Sequence, residues 1–331
     1  MTTKERILEL FESNKGLYFS GEEIARKFCV SRAAVWKAVN SLREEGYVIC
    51  AVTNKGYSLS EKTDILSQQG IIKYLKEEYK NMEIEVLSSV DSTNAYARKK
   101  AEQGFKEGYM VISNEQTKGR GRYQREFFSP YGTGIYMSLL LRPQHYSASQ
   151  AVRITTMAAV AMCEAIEEVS DERAEIKWVN DIFIRGKKVC GILTEASFGM
   201  ESGLLEYAVL GIGINVYEPE DGFLGEIKDI AGSIFTDTRE DVKNRLVASF
   251  IHHFMKYYQD EDKEDYIKTY QSRSLVVGKE ITVISGTQER NAFVHGIDDA
   301  CRLLIEYDNG EKDCLSYGEI RIRVRKTEES E

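Results

Sequence analysis

Residues 113–130 (SNEQTKGRGRYQREFFSP) contain the side chains best suited to binding an anion. Glycines and arginines are concentrated in this stretch: Gly119, Arg120, Gly121, Arg122 and Arg125. Guanidinium groups donate forked hydrogen bonds that match carboxylate and phosphate oxygens, and glycines allow positive φ and close approach of the backbone to a ligand. A solvated surface loop could carry the same charges, but Phe127 and Phe128 follow and indicate packing against a core. We therefore predict an anion-binding active-site loop.

A lysine in an apolar stretch is a second candidate for chemistry. Lys177 lies in EIKWVNDIFI between apolar neighbours, where an ammonium group is unfavourable unless it faces a cavity or a partner. Asn180 and Asp181 follow it and indicate a turn or a bulge. The pattern predicts a cation that faces a cavity or a partner.

Hydroxyl and amide side chains mark the start of a predicted helix. Residues 82–90 alternate like a strand, and Asp91, Ser92, Thr93 and Asn94 lead from it into a helix that extends to residue 103. Free N–H groups at such a junction can bind a polar group of a ligand. Plain N-capping by Asp91 or Ser92 explains the same residues equally well.

Two later strands contain glycine. Gly191 occurs in VCGILTE, and residues 211–215 read GIGIN and end at Asn215. A glycine inside a strand indicates close approach of the backbone or a ligand, whereas a dinucleotide fold is not indicated because no βαβ unit surrounds the GxG. Together with two long helices, these strands predict an α+β domain over residues 64–271, with a mixed sheet and helices on one side.

The first 62 residues have the pattern of a winged helix-turn-helix. Apolar residues at helical spacing predict three helices with Ser20 and Ser31 as N-caps, and residues 47–49 and 56–59 predict a two-stranded wing. The third helix and the tip of the wing hold the candidate DNA contacts: Ser31, Arg32, Ala33, Trp36, Lys37 and Lys55. A small helical protein-interaction domain is the alternative explanation of this pattern.

The last part of the chain reads as a small all-β unit. Residues 272–326 contain five short predicted strands, and Asp308, Asn309 and Gly310 form a strong hairpin signal. This spacing predicts a small SH3-like β-barrel, a unit that more often serves packing or docking than catalysis.

The charge distribution separates the N-terminal part from the rest. The 331 residues carry a net charge of −9; residues 1–62 hold ten basic and eight acidic residues, which gives +2 and leaves −11 for the remainder. A slightly basic head on an acidic body favours nucleic-acid binding by the head. The six cysteines form no CxxC pair and only four histidines occur, so a zinc site is not expected. The N-terminus lacks the apolar core of a signal peptide and no apolar run is long enough to span a membrane, which predicts a cytoplasmic protein.

In this order, and over nearly the whole chain, the motifs resemble those of bacterial biotin–protein ligases of the bifunctional kind that also repress the biotin operon. The motifs are SRAAVWKAVNSLREEGY in the head, DSTN, GRGR followed by FFSP, KWVND, CGIL and GIGINV in the centre, and GIDDACRLLIEYDNGE near the end. The resemblance implies a biotin/lipoyl-ligase-type catalytic domain that joins biotin to ATP, giving biotinyl-5′-adenylate and pyrophosphate. It also implies transfer of biotin to one lysine of a biotin carboxyl carrier protein domain.

Further expectations follow from the same resemblance. They include Mg²⁺ on the phosphates, operator DNA of biotin genes as a partner and a homodimer when biotinyl-adenylate is bound. The implied biotin-binding residues are Ser92, Thr93, Asn94, Gln116, Gly119, Arg120, Gly121, Arg122, Lys177 and Gly191. The implied ATP- or adenylate-binding residues are Arg122, Arg125, Asn180, Asp181 and Asn215. Arg122 and Lys177 are the implied catalytic residues, and no metal ligands are identified.

Two positions depart from the family pattern. Family members often have proline where Val179 stands and glycine where Gln124 stands, so the geometry of these turns is less certain. Three alternatives stay open: a biotin-sensing regulator without ligase activity, a lipoate-type ligase, and a ligase whose head does not bind an operator.

Overall fold

The protein is described from a computed structural model that covers residues 1–143, 146–147, 150–199, 203–260, 264–285, 288–316 and 321–324. Residue 326, the predicted end of the last domain, lies outside these residues. Within them, no helix combines the length and the apolar character that a membrane span requires.

The head consists of three helices and a β-hairpin. Its elements are α1 (Thr3–Glu12), α2 (Gly21–Phe28), α3 (Arg32–Glu44), β1 (Ile49–Val52) and β2 (Gly56–Leu59). Both predicted N-caps are confirmed, because the Ser20 Oγ accepts from the Glu23 N–H and the Ser31 Oγ accepts from the Ala34 N–H. The apolar faces of the three helices meet in a separate small core. The predicted helix-turn-helix with a two-stranded wing is confirmed.

The central domain is built on a seven-stranded mixed sheet. The strands are β3 (Ile84–Leu87), β4 (Met110–Ser113), β5 (Gly134–Leu141), β6 (Glu175–Lys177), β7 (Asp181–Ile184), β8 (Lys187–Phe198) and β9 (Leu205–Asn215). Their order across the sheet is β3-β4-β5-β9-β8-β7-β6. Only the β3–β4 pair is parallel, and the other pairs are antiparallel.

Helices pack on both faces of this sheet. They are α4 (Gln68–Ile72), α5 (Thr93–Glu102), α6 (Ala151–Val169), α7 (Val242–Gln259) and α8 (Glu264–Ser272). Ala97 and Ala101 of α5 pack against Val111, Leu140 and Val209, whereas the residues that alternate with these three on the same strands belong to the core with α6 and α7. The prediction of helices on one side was therefore wrong. All residues of β4 and β5 are buried, so both faces of these strands must be covered.

A five-stranded antiparallel sheet follows α8. This C-terminal sheet comprises β10 (Glu280–Ser285), β11 (Gln288–Ile297), β12 (Leu303–Tyr307), β13 (Lys312–Leu315) and β14 (Arg321–Val324), in the order β13-β12-β11-β10-β14. Among the described residues the edge strands β13 and β14 do not pair with each other. The five predicted strands are confirmed, and their closure into an SH3-like barrel stays a prediction.

Four charged side chains join the head to the central domain. The Lys15 Nζ lies 3.3 Å from the Glu12 carboxylate and 3.0 Å from the Asp241 carboxylate, and the Lys73 Nζ lies 3.1 Å and 2.5 Å from the same two groups. The Glu12 side chain is fully buried, and this burial raises the pKa of its carboxyl. Removing one member would leave an uncompensated buried charge. The network therefore holds the head against the central domain.

Candidate active site

One row of residues crosses the central sheet from edge to interior. Successive Cα partners are Lys177 on β6, Asp181 on β7, Gly191 on β8, Gly213 on β9 and Tyr136 on β5. Partners on neighbouring strands direct their side chains to the same face. That face, which also carries α5 and is called here the site face, therefore holds the predicted Lys177, Asp181 and Gly191.

The ring of Phe127 lies over the middle of this row. A Cβ placed on Gly191 would be 3.2 Å from the Phe127 ring, and a Cβ placed on Gly213 would overlap it. The predicted close approach at Gly191 is confirmed, and Phe127 is the group that approaches. Sequence reasoning treated Phe127 only as an anchor for the loop. The ring therefore packs directly on the glycine pair at the middle of the site face.

A hydrogen-bonded group of polar side chains lies at the N-terminus of α5. The Ser92 Oγ caps the helix by accepting from the Ala95 N–H at 3.4 Å. The Thr93 N–H and hydroxyl both donate to the Gln116 Oε1, at 2.9 and 3.0 Å. The Gln116 Nε2 donates to the Ser129 Oγ at 3.1 Å, so its amide orientation is fixed. The structure thus brings the predicted Ser92, Thr93 and Gln116 together.

Asn94 connects this polar group to the sheet. Its Oδ1 accepts from the Ser138 hydroxyl at 2.7 Å, and its Nδ2 donates to the Glu195 carboxylate at 2.8 Å and to the Leu193 carbonyl at 3.3 Å. A Cβ at Gly211 would overlap the Asn94 side chain. Ser138, Glu195 and Gly211 were not predicted as site residues. Only their positions in the strands could have identified them, since each lies on the same face of its strand as a residue of the row.

Arg122 and Asn180 meet at the opposite end of the row. The Arg122 guanidinium donates to the Asn180 Oδ1 at 3.0 Å, and the Asn180 Nδ2 donates to the Ile192 carbonyl at 2.9 Å. Asn180 is buried, with 8% of its surface exposed. The active-site loop is therefore anchored to the turn between β6 and β7 through one predicted arginine.

Lys188 adds a second cation to the end of the row where Arg122 lies, which is called here the cationic end. The sequence analysis did not identify Lys188 as a site residue. Its Nζ is 2.6 Å from the Asp181 Oδ1 and 3.3 Å from the position of a Cβ on Gly191. Strict alternation along β8 would place Lys188 on the opposite face from Gly191. The register shifts, however, because Ile182 pairs with Cys190 while Phe183 pairs with Lys188. The extra residue in β8 is a β-bulge, and it turns Lys188 to the site face.

Lys177 lies on the edge strand β6, across β7 from Lys188. Its Nζ is 5.6 Å from the centroid of the Phe183 ring, and the residue is half-buried. Lys177 therefore makes a cation–π contact with an aromatic ring of the site face. Its catalytic role stays a prediction, and the two lysines on the strands that flank β7 are the candidate ammonium groups of the site.

The glycines of the active-site loop do not have the predicted positive φ. The left-handed residues are instead Tyr123 and Gln124, with φ of 57° and 60°. Gly119 is required for close approach, because a Cβ there would overlap the Phe127 carbonyl oxygen. At Gly121 the nearest atom to a Cβ would be the Arg125 carbonyl oxygen at 3.6 Å, an ordinary contact. The left-handed part of the loop therefore lies at Tyr123 and Gln124, after both glycines.

The remaining predicted residues are less closely joined to this group. Among the described residues, the side chains of Arg120 and Arg125 make no hydrogen bond or ion pair with another predicted site residue. Asn215 lies on the site face at the end of β9, where its Nδ2 donates to the Gly232 carbonyl at 3.1 Å. The structure places it at the rim, next to the segment that follows β9.

Comparison with known proteins gives family matches in three parts of the chain. An HTH domain family matches residues 3–58, the Biotin/lipoate A/B protein ligase family matches residues 86–215, and the Biotin protein ligase C terminal domain family matches residues 276–323. The Bifunctional ligase/repressor BirA of Bacillus spizizenii is 36% identical over 95% of this chain and 97% of its own length. The chain belongs to the bifunctional biotin ligase/repressor family.

Two further relatives agree with this assignment. The bifunctional ligase/repressor BirA of Escherichia coli is 29% identical over 93% of this chain and 94% of its own length. The biotin protein ligase from Aquifex aeolicus, solved in complex with biotin and ATP, has a TM-score of 0.60 and 26% identity over 73% of this chain and 99% of its own. The resemblance stated from the motifs is confirmed.

The head of this bifunctional ligase/repressor presents the predicted DNA-contact residues to solvent. Ser31, Arg32, Ala33, Trp36, Lys37 and Lys55 are all exposed. Trp36 on α3 is 57% exposed, although burial of its ring would be favourable. An exposed indole beside two cations suits contact with a partner surface.

The family resemblance implies Mg²⁺, so the side chains of the site are compared with those that usually bind this ion. Across the part of the chain that the structure describes, no three His, Cys, Asp or Glu side chains are grouped as metal ligands. Asp181 is the carboxylate of the row, and it already pairs with Lys188. Mg²⁺ usually binds through one or two carboxylates and substrate phosphates. Because Asp181 is engaged by Lys188, the residues fit an ion that arrives with ATP and is held mainly by its phosphates.

Proposed function

We propose that this chain joins biotin to ATP and then transfers biotin to one lysine of a biotin carboxyl carrier protein domain. One observation carries the proposal: a neutral polar group at α5 and a cationic group at β7 and β8 lie on the same face of the sheet, with Phe127 packed on the glycine pair. Biotin has the matching form, with a neutral polar ring at one end and a carboxylate at the other.

The polar end would hold the ring of biotin. Thr93, Asn94 and Gln116 supply donors and acceptors whose orientations are fixed by hydrogen bonds within the protein. Ser92 caps α5 beside them, so the dipole of the helix end also faces the ligand. Fixed groups of this kind select a ligand with the complementary pattern, because a mismatched one leaves them unpaired.

The cationic end would carry out the activation. A biotin carboxylate that attacks the α-phosphate of ATP brings two anions together, so nearby cations must offset the repulsion. Lys188 and Arg122 hold this position through Asp181 and Asn180, and Lys177 is the further candidate. When bound, Mg²⁺ would reduce the negative charge of the phosphates.

The loop and the rim would complete the site. Gly119, Arg120, Gly121 and Arg122 would lie along the carboxylate, while Arg125, Asn180, Asp181 and Asn215 would face the nucleotide. The adenylate is sensitive to water, and a loop held on the sheet by Phe127 would exclude water from it. Positioning and electrostatics account for most of the catalysis of such phosphoryl chemistry.

The head would bind operator DNA of biotin genes. A single head with a net charge of +2 makes few phosphate contacts, so binding alone should be weak. A homodimer formed with bound biotinyl-adenylate would present two heads to paired half-sites and raise the affinity through effective concentration. Within this proposal the domains span residues 1–62, 64–271 and 272–326, and the last closes as an SH3-like barrel.

Two measurements without any carrier test the activation step. Isothermal titration should show binding of biotin and no comparable binding of lipoate. Pyrophosphate should then be released only when biotin, ATP and Mg²⁺ are all present. Binding of lipoate in preference to biotin would support a lipoate-type ligase instead, and biotin binding without pyrophosphate release would support a regulator without ligase activity.

A further inference from the structure

Two buried hydrogen bonds hold the segment between Lys177 and Asn180 from outside the central sheet. The indole N–H of Trp178 donates to the Cys301 carbonyl at 2.7 Å, and the Tyr270 hydroxyl donates to the Val179 carbonyl at 3.1 Å. Trp178 is 6% exposed and Tyr270 is fully buried. Hydrogen bonds in such an environment are costly to lose, because the partner carbonyl cannot turn to water.

The carbonyl that Trp178 contacts belongs to a tightly built turn of the C-terminal sheet. Cys301 lies between β11 and β12 at a φ of 60°. The Asp298 carboxylate accepts from the N–H groups of Ala300 and Arg302 at 3.0 and 2.8 Å, and from the Arg302 guanidinium at 2.7 Å. These bonds fix the turn, so its carbonyl offers Trp178 a rigid acceptor.

The held segment leads directly into the cationic end of the site. Asn180 contacts Arg122 of the loop, and Asp181 contacts Lys188 of β8. The polar end differs, since none of the hydrogen bonds described for Thr93, Asn94 or Gln116 involves the C-terminal sheet. A change at the Trp178–Cys301 contact should therefore affect the cationic end of the site more than the polar end.

We infer that Trp178 and Tyr270 are positioning residues through which the C-terminal sheet and α8 set the affinity of the site for the nucleotide. They hold Asn180 and Asp181 where these residues orient Arg122 and Lys188. This inference rests on the proposed function, in which the cationic end binds ATP and the polar end binds the biotin ring.

Conservative variants of α8 and of the turn after β6 separate positioning from general stability. Tyr270→Phe removes only the hydroxyl that donates to Val179, and Trp178→Phe removes the indole donor. Tyr266→Phe is the matched control on α8, because the Tyr266 hydroxyl is buried and no hydrogen bond within the described residues joins it to segment 177–180. The rate of pyrophosphate release is measured against ATP concentration and against biotin concentration, and thermal unfolding is followed for each variant.

We expect the KM for ATP to rise about fivefold to tenfold in Tyr270→Phe and at least as much in Trp178→Phe, as the loss of one buried hydrogen bond predicts. The KM for biotin should rise by a smaller factor than the KM for ATP, because the polar end that holds its ring is unchanged, and Tyr266→Phe should match the wild type in both constants. A parallel rise of both constants, or an unchanged KM for ATP in an active protein, would overturn the inference alone. A wild-type protein that releases no pyrophosphate would overturn the proposed function and this inference with it.

Discussion

Replacing Lys188 by alanine is the most direct perturbation of the cationic end. The Lys188 Nζ lies 2.6 Å from the Asp181 carboxylate, and the two side chains are 27% and 23% exposed. The alanine variant removes a positive charge and leaves that carboxylate facing the phosphates of ATP. The fold should persist, since the lysine side chain is not part of the apolar core.

The expected loss is large because both effects act in the same direction. A hydrogen bond to a charged group contributes roughly 1.5–3 kcal/mol, and removing one group that stabilises developing charge costs roughly 2.7–4 kcal/mol. These two contributions overlap, and solvent screens both because the side chains are partly exposed. We therefore expect the activation free energy to rise by on the order of 3 kcal/mol. This corresponds to a rate of adenylate formation about 150-fold below that of the wild type.

The assay is pyrophosphate release from biotin, ATP and Mg²⁺ without a carrier. Lys187→Ala is the matched control, because the Lys187 Nζ donates to the Asp229 carbonyl at 2.6 Å and not to a residue of the row. That variant should keep its rate within about twofold. A Lys188→Ala rate within about threefold of the wild type, a difference of only ~0.7 kcal/mol, would refute the role given to Lys188.

Lys177→Ala completes this comparison. The sequence predicts that it nearly abolishes adenylate formation, again by on the order of 3 kcal/mol. Equal losses in Lys177→Ala and Lys188→Ala would mean that ammonium groups from both sides of β7 act on the reacting anions. A Lys177→Ala variant with the wild-type rate would refute the prediction for Lys177 and leave Lys188 as the ammonium group of the site.

Three further predictions concern stability and DNA binding. Gln124 has a φ of 60°, so Gln124→Gly should be more stable than Gln124→Ala by on the order of 1 kcal/mol in urea denaturation. The hydrogen bond to Glu164 raises the pKa of His253, so the stability it contributes is fully present below the unfolded pKa and is lost as pH rises through the folded pKa. His253→Gln should therefore destabilise the protein by on the order of 1 kcal/mol more at about pH 5.5 than at about pH 9. Arg32→Ala should weaken operator binding about tenfold in a gel shift with biotin and ATP, while pyrophosphate release stays unchanged.

A specific result would contradict each of these three predictions. Equal stability of Gln124→Gly and Gln124→Ala would show that the left-handed turn costs nothing. A His253→Gln penalty that grows with pH would mean that the histidine is buried in its neutral form, as the lowered pKa of His252 indicates for that neighbour. Operator binding by Arg32→Ala equal to that of the wild type, or tight binding by a ligand-free monomer, would contradict the proposed role of the head.

Local signals made the fold of the head and the order of the strands along the chain predictable. The Ser20 and Ser31 caps, the glycine-containing strands and the hairpins depend on residues close together in the sequence. The face on which α5 packs was not predictable in this way. Strands such as β5 are apolar at every position, and an uninterrupted apolar run does not show which helix lies on which side.

The candidate site was predictable in composition and less so in geometry. Thr93 and Arg122 were singled out by residue type, and Gln116 and Asn180 by the family resemblance; they are found in hydrogen-bonded pairs. Lys188 was missed because a bulge in β8 breaks the alternation on which sequence reasoning depends. The position of Phe127 over the glycine pair could not be predicted either, since it depends on contacts between the loop and two strands far away in the chain.

Mass spectrometry of a carrier protein tests the central claim most directly. The full chain is incubated with biotin, ATP, Mg²⁺ and a biotin carboxyl carrier domain, with a second carrier whose acceptor lysine is replaced by arginine. The account predicts that the first carrier gains the mass of a single biotinyl group, only when ATP is present, and that the second gains none. A carrier that stays unmodified while the protein binds biotin, or one modified by lipoate in place of biotin, would contradict it.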